Sequence, residues 1–102
     1  MKHGRGMYRW ADGSAYDGEW YDNKIKGLGT YSWTDGRSYI GEWDENNMDG
    51  LGVYRWPDSR MYEGEFRDDK KSGFGIYRWN DGRVYTGSWL AGRQHGVGLY
   101  LD

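Results

Sequence analysis

Residues 16–38 read YDGEWYDNKIKGLGTYSWTDGRS, and the same pattern begins again at Tyr39, Tyr62 and Tyr85, at intervals of 23 residues. Each segment opens with Tyr-x-Gly-x-Trp or Tyr-x-Gly-x-Phe and continues with Gly-x-Gly-x-Tyr. A fixed period of this length is typical of a repeat protein. Because the repeat accounts for nearly every aromatic residue and glycine, we expect function to reside on surfaces rather than in a catalytic site.

The repeat also sets the domain organisation. Three complete units span residues 16–38, 39–61 and 62–84, with partial units at residues 1–15 and 85–102. At 102 residues, with no shift in composition along the chain, residues 1–102 form one repeat array. Since both ends fall within a unit and neither resembles an atypical capping repeat, we expect a segment of a longer array.

Period-two alternation dominates each half of a unit. In Tyr16–Trp20, for example, rings and glycine alternate with charged residues, which predicts a strand. The turn residues Asp22–Lys24 join the two halves, and Asp35–Gly36 leads into the next unit. The sequence therefore predicts an all-β fold, a single-layer elongated antiparallel sheet of consecutive β-hairpins, with about nine strands.

Two turn positions are expected to have positive φ. The first carries residue types that tolerate this conformation, namely Asn23, Asn46, Asp69 and Gly92. The second carries glycine in three turns, but Ser59 in the fourth. Ser59 should therefore adopt a conformation that glycine adopts more readily.

Parity predicts two different faces. The first, the aromatic face, should carry rings lying over glycines, as in Tyr16, Gly18, Trp20, Gly27, Gly29, Tyr31, Trp33 and their equivalents. The second face should carry the alternating acidic residues, three arginines and an apolar stripe that strengthens toward the C-terminal end. On this face we expect Arg9 opposite Asp17 and Arg55 opposite Glu63.

Composition and spacing exclude several classes of function. The formal net charge of −2 argues against a general nucleic-acid binder, and there is no cysteine for a disulfide or a thiolate metal site. No apolar run has the length of a membrane span. His3 and His95 should lie roughly 38 Å apart, too far to share a site.

The carboxylates recur as turn or strand residues and offer no cleft with a divergent pair. We predict no enzyme, no metal and no cofactor.

A unit that reads Tyr-x-Gly-x-Trp, then Gly-x-Gly-x-Tyr-x-Trp-x-Asp-Gly, closely resembles the MORN repeat (membrane occupation and recognition nexus). The resemblance covers essentially the whole chain. Departures from the family pattern occur at Asn23, Asn46 and Asp69, where glycine is usual, at Ser59, and at Phe66 in place of Trp. The resemblance implies an elongated twisted sheet with a long groove.

It also implies a noncatalytic scaffold that is part of a larger MORN-repeat protein. Such a module would be cytoplasmic and associated with the cytoskeleton or a membrane, and it would dock a protein segment or another copy along its groove. The alternative is a peripheral phospholipid-binding module that uses rows of arginine.

Three sets of residues are the candidates for these functions. The aromatic set, for binding a protein partner, is Tyr39, Trp43, Tyr54, Trp56, Tyr62, Tyr77, Trp79, Tyr85 and Trp89. The apolar set, for self-association as a homodimer, is Leu51, Phe74, Ile76, Val97 and Leu99. The basic set, for phosphate or lipid, is Arg37, Arg55, Arg60, Arg78 and Arg83.

Overall fold

A computed structural model describes residues 3–101 as one open sheet of nine antiparallel strands in chain order. The strands are β1 (Gly4–Arg9), β2 (Ala15–Tyr21), β3 (Lys24–Ser32), β4 (Ser38–Asp44), β5 (Asn47–Arg55), β6 (Met61–Arg67), β7 (Lys70–Arg78), β8 (Val84–Leu90) and β9 (Arg93–Leu101). The sheet is elongated, with principal extents of 46 × 24 × 16 Å. These features confirm the predicted fold class. Within residues 3–101 there is no helix long and apolar enough to cross a membrane.

The register aligns equivalent residues of neighbouring strands. Tyr16 pairs with Tyr31, and Tyr31 pairs in turn with Tyr39 on the next strand. In the same way Gly29 pairs with both Gly18 and Gly41. The repeat thus produces rows of tyrosine and rows of glycine that run across the sheet from strand to strand.

Glycine is required where a buried tyrosine ring crosses a strand. A Cβ added at Gly29 would overlap the ring of Tyr16, which is fully buried and donates its hydroxyl to the carbonyl oxygen of Glu19 at 2.9 Å. The same arrangement recurs between Gly52 and Tyr39. The expectation that glycine makes room for the rings is confirmed at these positions.

The first glycine of each Gly-x-Gly pair has a different role. Gly50 has φ 101° and lies at an irregularity in the β4–β5 ladder, where a Cβ would meet the Glu42 side chain rather than a ring. Gly27 and Gly73 are placed in the same way. The prediction that these glycines belong to the aromatic face is therefore wrong, because a β-bulge interrupts the alternation.

The recurring glutamates stabilise this bulge. The carboxylate of Glu42 accepts a hydrogen bond from the Leu51 backbone nitrogen at 2.7 Å, and Glu65 accepts one from Phe74 at 2.7 Å. A bulge leaves backbone donors without a ladder partner, so the carboxylate satisfies one of them. The repetition of this glutamate thus has a structural cause.

The turns between units are tighter than expected, so that each residue before the turn pairs with a residue two positions earlier on the next strand. Trp10 donates its backbone N–H to the carbonyl of Ser14, so Arg9 pairs with Ala15 rather than with Asp17. Likewise Arg55 pairs with Met61, not with Glu63. Both predicted pairs are wrong.

The turns within units tie neighbouring hairpins together. Asn46 and Asp69 have φ of 73° and 69°, which confirms the expected conformation. Their side chains accept hydrogen bonds from the backbone nitrogens of Ile25 (2.9 Å) and Met48 (2.6 Å) in the preceding hairpin. The glycine usual in the resembled repeat lacks the side chain that makes this bond.

Ser59 has φ 78°, close to the 95° and 96° of Gly36 and Gly82 at the equivalent turns. Ser59→Gly should therefore relieve backbone strain and raise the free energy of unfolding by a few tenths to ~1 kcal/mol, less the larger entropy of glycine in the unfolded chain. Thermal unfolding followed by circular dichroism measures the change. An unchanged or lower melting temperature would contradict the strain argument.

Candidate binding groove

The buried tyrosines form the inner layer of the aromatic face. Tyr39 packs edge-on against Trp43 of its own unit, with ring centroids 5.0 Å apart, and against Phe66 of the next unit at 5.1 Å. Tyr62 is held in the same way between Phe66 and Trp89. Edge-to-face contacts at these distances are favourable, and they link each unit to the next.

A second row of rings, the aromatic ladder, runs along the same face nearer to solvent. It consists of Tyr8, Trp10, Tyr31, Trp33, Tyr54, Trp56, Tyr77, Trp79 and Tyr100, with successive ring centroids 4.5 to 6.1 Å apart. Its tryptophans at positions 10, 33, 56 and 79 are only partly buried. The ladder is therefore the accessible edge of the aromatic core.

The structure changes which rings a partner could touch. Of the nine rings predicted to bind a protein partner, seven lie in the core: Tyr39, Trp43, Tyr54, Tyr62, Tyr77, Tyr85 and Trp89. Only Trp56 and Trp79 remain partly exposed. Tyr31 and Trp33, absent from the predicted set, are equally accessible. The ladder tryptophans, Tyr31 and the exposed end rings Tyr8 and Tyr100 are thus accessible from solvent, whereas the seven buried rings shape and support the surface.

A groove of about 730 Å³ lies over the first half of the array. Its lining comes from the ladder, from buried tryptophans and aliphatic side chains beneath it, from three turn residues and from one arginine: Tyr8, Trp10, Trp20, Asn23, Ile25, Tyr31, Trp33, Arg37, Trp43, Asn46, Met48, Tyr54 and Asp69. The period of the sequence gathers these residues, since equivalent positions of adjacent units meet on one face. Concave aromatic surfaces with a few polar groups are typical of binding sites.

Arginines line one border of the aromatic face. Arg37 lies over the Trp33 ring, with its Cζ 5.3 Å from the ring centroid, and donates to the Tyr54 hydroxyl at 2.8 Å. Its Nε also bonds the Asp35 carboxylate at 2.7 Å. Hydrogen bonding from the Arg37 backbone and side chain lowers the pKa of Asp35, so the carboxylate stays charged beside the guanidinium.

This arrangement recurs in the next two units. Arg60 bonds Asp58 and lies over Trp56, and Arg83 bonds Asp81 and lies over Trp79. Each guanidinium of the row therefore has an acidic partner from its own turn. Such pairing reduces the positive charge that the row offers to a phosphate.

The other two predicted phosphate ligands lie apart from this row. Arg78 is exposed on β7 and lies 4.0 Å from Glu63, and Arg55 is exposed at the end of β5. Neither is a lining residue of the groove. The structure thus divides the five arginines into two groups.

Lys71 lies among rings of the aromatic face. Its Nζ is 5.4 to 5.9 Å from the ring centroids of Trp56, Tyr62, Tyr77 and Trp89. Burial, with a smaller contribution from Arg60, lowers the pKa of the amine. The four ring faces offer a partial replacement for lost hydration. The repeat position of Lys71, which is occupied by apolar Ile25 and Met48 in the two preceding units, could have indicated that Lys71 points to this face.

The second face carries an exposed apolar patch. Leu51 is 61% exposed and Phe74 is 56% exposed, and both line a shallow depression with Ile76. Ile40, which the sequence prediction omitted, contributes to the same depression and is also exposed. Val97 and Leu99 are exposed farther along, on β9. The structure therefore brings together three of the five predicted self-association residues.

Potential metal ligands are scattered. In the part of the chain from residue 3 to residue 101, no three histidine or acidic side chains are grouped so that they could hold a metal ion. The Nδ1 of His3 accepts a hydrogen bond from the Asp22 backbone nitrogen at 3.5 Å. His3 therefore contacts the neighbouring hairpin turn.

Comparison with known families agrees with this architecture. The family model described as MORN repeat matches residues 1–15, 16–36, 39–59, 62–82 and 85–102. The chain belongs to the MORN-repeat family. No curated protein sequence matches it. MORN repeats mediate interactions with proteins or membranes, and the family is generally noncatalytic.

Proposed function

We propose that this chain is a noncatalytic protein-binding and scaffold module of a larger MORN-repeat protein, and that it docks a segment of a protein partner along its groove. The observation that carries the proposal is the open groove of about 730 Å³ beneath partly exposed tryptophans. Tryptophan and tyrosine are the residues most enriched at energetically important positions of protein interfaces. Units 16–38 and 39–61, over which the groove lies, would contribute equivalent contacts.

The shape of the aromatic face favours an elongated partner segment. The ladder continues from Tyr8 to Tyr100 through every unit, and the sheet is 46 Å long. A repeated surface presents the same side chains at a fixed interval, which suits an extended chain or a helix better than a compact ligand. A cytoplasmic scaffold associated with the cytoskeleton or a membrane would use such a surface.

Selection of short peptides against the chain provides the test. Trp33→Ala, which removes a partly exposed ring that lines the groove, should weaken the selected peptides by at least about tenfold, as expected for a central aromatic contact. The matched control is Leu51→Ala on the second face, which should leave affinity unchanged. Circular dichroism verifies that both variants fold. Loss of affinity in the control variant alone would move the site to the second face.

Anionic vesicles test the alternative function. The pairing of Arg37, Arg60 and Arg83 with turn aspartates argues against a strong phospholipid site. We therefore expect little vesicle binding at physiological salt. Salt-sensitive vesicle binding that Arg55→Glu and Arg78→Glu abolish would support the peripheral phospholipid-binding module instead.

The exposed apolar patch supports self-association as a second property of the scaffold. Leu51, Phe74 and Ile76 form a continuous depression on the second face, and Val97 and Leu99 extend the apolar surface. A single-layer sheet has no second layer to cover such a face, so another copy of the chain is a fitting partner. We propose a homodimer with two-fold symmetry.

Analytical ultracentrifugation measures this association. The parent chain should sediment partly as a dimer at high micromolar concentration. The Phe74→Glu, Leu99→Glu double variant should be a monomer, because burying two carboxylates in an apolar contact is unfavourable. A strictly monomeric parent chain would refute the dimer and leave the groove as the remaining scaffold surface.

A further inference from the structure

One position of the repeat changes character along the array. Ile25 and Met48 are buried on the aromatic face, and the equivalent residue of the third unit is Lys71. The Lys71 ammonium lies within 6 Å of four ring centroids. The chain thus places a cation of its own in an aromatic cage where two other units place an apolar side chain.

The preceding units repeat most of this cage. Subtracting one period of 23 residues from the four rings around Lys71 gives Trp33, Tyr39, Tyr54 and Phe66, which pack in the same core cluster as Met48. The groove of about 730 Å³ lies over Ile25 and Met48, whereas the depression between Met48 and Lys71 holds about 220 Å³. Lys71 therefore occupies space that remains open over the first two units.

The charge of the open groove suits a cation. Its charged lining residues are Arg37 and Asp69. Arg37 is paired with Asp35, whereas Asp69 has no ion-pair partner within residues 3–101. An unbalanced carboxylate beside ring faces attracts an ammonium group and disfavours an anion.

We infer that the groove over Ile25 and Met48 binds a lysine side chain of the partner segment, in the position that Lys71 fills in the third unit. This inference rests on the proposed function and specifies the chemistry of the partner. Apolar methylenes would pack against the rings, and the ammonium would lie among ring faces near Asp69. A phosphocholine head group offers a similar cation, but its phosphate would be repelled by the Asp69 carboxylate.

Nuclear magnetic resonance titrations provide a direct test. The probes are N-acetyl-lysine methylamide, its norleucine analogue without the ammonium group, and phosphocholine. The lysine probe should shift the indole resonances of Trp10 and Trp33 and bind at least about fivefold more tightly than the other two. Equal or tighter binding of norleucine would show an apolar groove only, and preference for phosphocholine would indicate a lipid head group. Either result would overturn the inference.

Two reciprocal variants assign the site. Met48→Lys should place an ammonium group of the chain itself in the groove over the second unit. The lysine probe should then no longer shift the indole resonance of Trp33. Lys71→Met should open the third unit, so that the lysine probe also shifts Trp56. If Met48→Lys does not fold, the gain at Trp56 in Lys71→Met still decides the matter, and its absence would refute the inference.

The same titrations separate the two proposals. Selected peptides that depend on Trp33 but contain no required lysine would refute the lysine site while leaving the protein-binding function intact. Binding of the lysine probe without any selected peptide would refute the docking of a protein segment.

Discussion

Replacing Gly52 by valine should lower the free energy of unfolding by about 3 kcal/mol or more, the largest effect expected from a single substitution in this chain. A Cβ at Gly52 would overlap the ring of Tyr39, which is fully buried and held by rings on either side. The ring therefore cannot move aside without breaking the contacts between units. Urea denaturation followed by tryptophan fluorescence measures the loss.

Leu51→Val is the matched control for this substitution. It introduces the same β-branched residue on the same strand, but at an exposed position of the second face. Glu42→Ala is a poorer control, since Glu42 bonds the bulge nitrogen of Leu51 and its loss has a cost of its own. Equal midpoints for Gly52→Val and Leu51→Val would refute the placement of Gly52 beneath the ring.

The period of the sequence was sufficient to predict the sheet. Rings, glycines and turn residues recur at fixed spacing, so parity indicates the strands and the tolerance of positive φ indicates the turns. Asn46, Asp69 and Ser59 all have the predicted positive φ. Local residue chemistry determines these features, and for that reason they can be read without coordinates.

The bulge and the turn register could not be predicted in the same way. Gly50 continues the period-two pattern of Gly52, but its positive φ and the register shift beside Glu42 place it outside the regular β4–β5 ladder. A bulge adds a residue to one strand, but because it recurs in every unit the spacing of the repeat stays the same. The sequence pattern therefore gives no sign of it. The closure of the turn at Ser14 similarly depends on backbone hydrogen bonds rather than on composition.

The exposure of individual rings also could not be predicted from the alternation of residues along a strand. Tyr39 and Trp56 are predicted on one face, yet Tyr39 is fully buried and Trp56 is partly exposed. The difference arises because Tyr39 lies flat over Gly52 and is covered by Phe66 from the next unit. Contacts between neighbouring units therefore determine how deeply each ring is buried, and the sequence pattern of one unit does not show these contacts. The cage around Lys71 depends likewise on Trp89 from the following unit.

The buried tyrosines make the fold sensitive to alkali. Burial raises the pKa of the Tyr16 hydroxyl from 10.0 to about 12 and raises the pKa values of Tyr39 and Tyr62 as well. A folded-state pKa above the unfolded value means that the unfolded chain loses its protons first. Stability is therefore unaffected below the unfolded pKa of 10.0 and falls as pH rises from there toward the folded values.

Each such tyrosine should reduce the free energy of unfolding by about 1.4 kcal/mol per pH unit in this range, and three together by about 4 kcal/mol per pH unit. Lys71 has the opposite sign, because burial lowers its pKa and stability rises as the folded lysine loses its proton while the unfolded one still keeps it. That gain ends near its ordinary pKa of 10.5, so it cannot offset the loss at higher pH.

Urea denaturation at a series of pH values, with the tyrosinate absorbance recorded in parallel, tests this expectation. The chain should unfold cooperatively between pH 10 and about 12, with the buried tyrosines ionising as it unfolds. Tyr62→Phe removes one ionisable group while keeping the ring over Gly75. Its stability should fall less steeply with pH by about 1.4 kcal/mol per pH unit, even if the lost hydroxyl bond lowers stability at neutral pH. An identical slope in the variant, or tyrosine ionisation in the folded chain near pH 10, would show that these hydroxyls are not closed off from solvent.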